Sequence, residues 1–72
     1  MSAKLPRIKP AKVIRVLEKH DYICVRQSGS HMVFRNDEGI RVTVPYHSGK
    51  IIHPKILKRI IDDTGIVVEE FQ

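Results

Sequence analysis

One histidine, His31, stands directly after Ser28-Gly29-Ser30 and opens the run His31-Met32-Val33-Phe34-Arg35. An imidazole titrates near neutrality, so at working pH it can take a proton or give one. Gly29 lets the backbone come close to a bulky ligand and adopt positive φ. The amides of such a turn, with the hydroxyls of Ser28 and Ser30, can donate to phosphate oxygens. These residue types at this spacing fit a phosphate-facing site with an acid or base, His31, at its centre. The plainer reading is a hairpin that contains a histidine. If the phosphate is that of RNA, the substrate brings its own nucleophile, the 2′-hydroxyl beside phosphorus, and much of the proximity advantage with it. The protein then has to align that oxygen, move a proton and steady the developing charge. One acid–base group contributes about 10²–10⁴-fold, so the expectation is a slow ribonuclease, inert toward DNA.

Other chemistries find less support. The four histidines and the single cysteine, Cys24, include no pair at the close spacings of zinc ligands. No paired carboxylates accompany His31 on its face of the sheet, which argues against a two-metal nuclease. No metal and no other cofactor is therefore expected. Ser28 or Ser30 beside His31 lacks an evident orienting acid for a serine nucleophile. His47 and Lys50, in His47-Ser48-Gly49-Lys50, are candidate phosphate contacts. Lys55, Lys58 and Arg59 are further cations that could track a nucleic-acid backbone. His20, at a helix end, can ease orphan carbonyls, and His53 before Pro54 reads as a boundary residue.

The elements that position these groups follow from periodicity. Residues 1–9 read as a flexible lead-in. From Pro10 to His20, Val13, Ile14, Val16 and Leu17 recur at helical spacing, with Lys12, Arg15 and Lys19 as a positive stripe opposite. Tyr22–Gln27, His31–Arg35 and Ile40–Tyr46 read as strands joined by short turns, hence an antiparallel sheet. His53–Thr64 reads as a second helix stopped by Gly65, and the last residues as a further turn that packs Phe71 back. The fold class is α+β, in the order α-β-β-β-α, with two helices on one face of a three-stranded sheet and the other face open. Strict alternation places Met32, Phe34, Ile40, Val42 and Val44 inward, together with Ile23 and Val25. It leaves Tyr22, Cys24, Arg26, His31, Val33, Arg35, Arg41 and Thr43 outward. The candidate RNA-binding set is thus Arg26, Arg35 and Arg41 on the open face, with Ser28, Gly29, Ser30, His47 and Lys50 around His31.

Seventy-two residues make one small domain, and 42% hydrophobic residues exclude wholesale disorder. No apolar run approaches the ~20 residues of a membrane span, and the N-terminus lacks the apolar region of a secretion signal. A lone cysteine can form no internal disulfide, so a reduced, cytoplasmic setting is expected. Charge is unevenly spread. Residues 1–59 hold all 13 lysines and arginines against four acids, whereas residues 60–72 hold Asp62, Asp63, Glu69 and Glu70 and no base. Such a body suits a polyanion or an acidic protein partner.

The segments "KPAKVIRVLEKHDY", "VRQSGSHMVFRN", "RVTVPYHSGKII" and "LKRIIDDTGIVVEEF" together resemble the HicA (YcfA-like) toxin family of toxin–antitoxin systems. The resemblance implies a single domain like a double-stranded-RNA-binding domain over residues 1–72. It implies metal-independent cleavage of mRNA, an arrest of growth of the stress-response kind, and His31 as catalytic residue. It further implies a HicB-type antitoxin covering the active face, with any oligomer formed through that complex. Two departures stand out: Asp21 occupies a position where the family usually has glycine, and "HPKIL" replaces Pro-Gly-Thr-Leu before the last helix. The alternative within the same fold is a binding-only RNA module with His31 as a contact. A helix-turn-helix DNA binder is the third reading, and three strand-like runs argue against it.

Overall fold

The computed structural model describes residues 5–47 and 49–72. Ser48 and the first four residues of the expected lead-in lie outside that range. The element order is α1 (Pro10–Lys19), β1 (Ile23–Ser28), β2 (His31–Arg35), β3 (Arg41–Pro45) and α2 (Pro54–Thr64), followed by a 3-10 turn, Val68–Phe71. The three strands form one antiparallel sheet in the order β1-β2-β3. This is the α+β architecture expected from periodicity.

Each helix starts on a proline in its first turn, where the missing N–H costs nothing. α2 has a further device: the His53 ring accepts at Nδ1 from the Lys55 amide at 3.1 Å, so the boundary histidine is a cap. Gly65 ends α2 in the left-handed region at φ 74. The core joins Val13, Val16 and Leu17 of α1, Phe34 of β2, Val42 and Val44 of β3, and Leu57 and Ile60 of α2, with Phe71 fully buried from the 3-10 turn. Both helices thus cover the face carrying Phe34, Val42 and Val44, and α2 packs against β3, the edge strand. Residues 5–9 have no regular structure, but Leu5 and Ile8 pack against this core. The Ile8 carbonyl there accepts from the Ile52 amide at 2.8 Å.

The beginning of β1 departs from strict alternation. Tyr22, expected outward, is 3% exposed, whereas Ile23 and Val25, expected inward, are 65% and 44% exposed. Two local devices cause this. The Tyr22 amide donates to the Leu17 carbonyl and the Asp21 amide to the Glu18 carbonyl, with Asp21 at φ 68. That hydrogen-bond pair is a Schellman closure of α1, which folds the residue after the left-handed position back onto the last turn. Tyr22 is that residue, and Leu17 is its partner in the core. The second device is a bulge: Cys24 pairs with Phe34 and Arg26 with Val33, leaving Val25 as the extra residue. Cys24 therefore takes the parity of the helix side rather than the open side expected of it, while remaining exposed. The bulge turns Arg26 over to the open side, beside Val33.

Candidate active site

Registry places the site residues in order. On the open face Ser28 lies across from His31 and His31 across from Pro45; Val33 lies across from Thr43 and Arg35 across from Arg41. Because Ser28 pairs with His31, Gly29 and Ser30 make a two-residue hairpin loop. Gly29 alone of the two has positive φ, 58, the pattern of a type II′ turn. A β-carbon at Gly29 would meet nothing within 4 Å, so the glycine serves the backbone conformation and leaves the approach to the turn clear. The Ser30 carbonyl accepts from the Tyr46 amide. That bond ties the Ser28–Ser30 turn to the start of the loop holding His47 and Lys50, so the two polar segments of the sequence share one end of the sheet.

His31, Arg26, Arg35, Arg41, Ser28 and Gly29 are exposed, and Ser30 is partly so. His31 and Arg41 line a groove of about 600 Å³ where the open face meets α2. Val33 and Thr43 add to the sheet wall, and Ile56, Arg59, Ile60 and Asp63 form the helix wall. Arg59 and Asp63, one turn apart, approach to 4.0 Å between Nε and Oδ2. Arg35 borders a smaller hollow with Asp21, Ile23, Val25, Asn36 and Asp37. His47 and Lys50 lie exposed in the loop after β3, where the Lys50 amide donates to the His47 carbonyl at 3.0 Å, and neither lines the groove. Among the described residues no three or more His, Cys, Asp or Glu side chains gather as a metal site would need, and no helix is long and apolar enough to cross a membrane.

Asp63 is the groove residue that sequence reasoning passed over. Its neighbours in the chain assign it to an acidic helix end, and only the docking of α2 against β3 brings it to the open face. Tyr22, by contrast, leaves the candidate surface. Its phenol is pushed above the ordinary 10.0 by burial first, then by the negative charges of Glu38 and Asp63.

A sheet face with three exposed arginines and a histidine at a groove is thus carried on a small α+β fold. The chain belongs to the HicA toxin family, since the family model described as "HicA toxin of bacterial toxin-antitoxin" matches residues 10–66. The match spans both helices and all three strands, the Gly29-Ser30-His31 turn among them. No curated protein matches the chain.

Proposed function

We propose that this toxin is a metal-independent endoribonuclease that cleaves mRNA in the cytoplasm, with His31 as general acid or base. The single observation that carries the reading is the position of His31: exposed, directly after the Gly29 turn, on the same uncovered face as Arg26, Arg35 and Arg41. The ribose 2′-oxygen attacks phosphorus as the bond to the 5′-oxygen breaks, leaving a 2′,3′-cyclic phosphate and a 5′-hydroxyl. The imidazole takes the proton from the 2′-hydroxyl or supplies one to the departing oxygen. Ser28, Gly29 and Ser30 shape the phosphate seat through amides and hydroxyls. The three arginines hold the backbone by charge, with His47 and Lys50 extending the track.

Membership of a toxin–antitoxin family entails a cognate antitoxin. We take it to be a HicB-type protein that covers this face, with oligomers arising through the complex. An acidic surface on that partner would complement a body with nine surplus positive charges.

The test is an end-labelled RNA incubated with the free toxin in EDTA, beside the same strand carrying 2′-deoxyribose at the cut nucleotide. Cleavage of the first and not the second, lost in His31→Ala, is expected. Retention of RNA without cutting by the wild type overturns the enzyme and leaves a binding module.

A further inference from the structure

The groove beside His31 holds more than phosphate binding needs. A surface built only for a phosphate backbone gains nothing from a carboxylate, which repels it. Yet Asp63, half-exposed at 46%, lines this groove with the cations Arg41 and Arg59. Its ion pair to Arg59 is at the long limit of 4.0 Å, so the carboxylate keeps acceptor capacity and is the one acidic side chain among the described residues that line the groove.

The charge of Asp63, near the end of α2, is felt by the Tyr22 phenol together with that of Glu38 in the β2–β3 turn. His31 pairs with Pro45 at one end of β3, and Arg41, which lines the same groove, begins the other. The two ends are four strand residues, about 13 Å, apart. Between them run apolar walls from Val33, Ile56 and Ile60. The groove volume of about 600 Å³ lies within the roughly 300–1,000 Å³ of small-ligand sites.

Single-stranded RNA is read by splaying a base out, stacking it on an apolar, aromatic or guanidinium surface, and hydrogen-bonding its Watson–Crick edge. A carboxylate only accepts. Guanine presents two adjacent donors, N1–H and the N2 amine, to a carboxylate's two oxygens. Adenine and cytosine offer one amine beside an acceptor, and uracil one N–H between two carbonyls.

Resting on the ribonuclease reading above, we propose that the Asp63 end of the groove is a base pocket for guanine, belonging to a nucleotide that neighbours the cut. The Asp63 carboxylate accepts from N1–H and N2–H, and the Arg59 guanidinium, 84% exposed, lies over the base. Specificity thus sits on α2, while the chemistry sits on the hairpin.

The test separates binding from cutting. Four 2′-O-methyl RNA tetranucleotides that differ in one base cannot be cleaved, because the nucleophile is blocked. Their affinities for the wild type and for Asp63→Asn are measured by fluorescence anisotropy. The wild type is expected to favour the guanine strand over the uracil strand about tenfold, within what one bidentate side-chain–base pair supplies. Asp63→Asn is expected to bring the two to near parity. A wild type that binds all four alike, or an Asp63→Asn protein that keeps its preference, overturns the pocket. The wild-type comparison holds whatever the stability of the variant. Guanine preference in a protein that cuts no RNA overturns the ribonuclease reading and leaves the pocket standing.

Discussion

Asp21 sits at φ 68, a conformation that costs a residue with a β-carbon roughly 1 kcal/mol and glycine almost nothing. The left-handed closure of α1 therefore carries strain at this position that a glycine would not. Asp21→Gly is expected to raise stability by about 0.5–1 kcal/mol, read as a higher thermal midpoint; a lower midpoint contradicts the left-handed closure of α1. Tyr22, next along, is buried, and its hydroxyl has no hydrogen-bond partner among the described residues. Its folded-state pKa lies above the unfolded value, so the native state holds that proton longer than the unfolded chain. The stability this contributes is complete below about pH 10 and is lost as pH climbs through the folded value. Denaturant titrations across that alkaline range should show Tyr22→Phe losing less stability than the wild type. At neutral pH the variant should be equal or better, because a buried, unpaired hydroxyl is gone. Equal alkaline losses in the two proteins would refute the assignment.

Elements set what those residues face. The faces of β2 and β3 were legible because burying Met32 and Phe34 keeps Arg35 out of the core, and because Ile40, Val42 and Val44 alternate with Arg41 and Thr43. β1 was not legible. Tyr22 turns inward through hydrogen bonds to the end of α1, and Val25 is extruded by a bulge. Both are decided by neighbours rather than by period. The two departures offset each other at Arg26, which reaches the expected face although the strand begins on the opposite parity. His31 was legible because its turn, its strand and its register agree. Asp63 was not, since nothing local says which flank of α2 meets β3. The 3-10 turn Val68–Phe71 carries its own consequence. Phe71 is fully buried against the core, and truncating a buried phenylalanine costs about 3–5 kcal/mol. Phe71→Ala is expected to lower the denaturant midpoint by a large fraction, and a shift below about 1 kcal/mol would show the turn to be dispensable.

At the scale of the molecule, charge and coverage divide the work. The helices cover one face of the sheet and leave the other with His31 at one end of β2, the Arg35–Arg41 pair at the other, and Arg26 beside Val33 between them. Acids gather toward the end of the chain, where Glu70 meets His20 at 3.4 Å. A polyanion held by the open face releases counterions, so affinity should fall steeply with salt. For single-stranded RNA each phosphate contact adds about 0.7 to the slope of log affinity against log salt. Replacing Arg26, Arg35 or Arg41 with alanine should flatten that slope by roughly one contact each, while Lys58→Ala should leave it alone, its ammonium being engaged with Asp62 at 3.0 Å. Equal effects from all four would place RNA elsewhere on the surface.

The central question is whether the His31 imidazole carries the proton. Single-turnover cleavage of one RNA by wild type and His31→Ala, at matched folded concentration, reads it directly. A rate lower by about 10²–10⁴-fold in the variant, with RNA affinity largely kept, is the expected result. Undiminished cleavage by His31→Ala would contradict it.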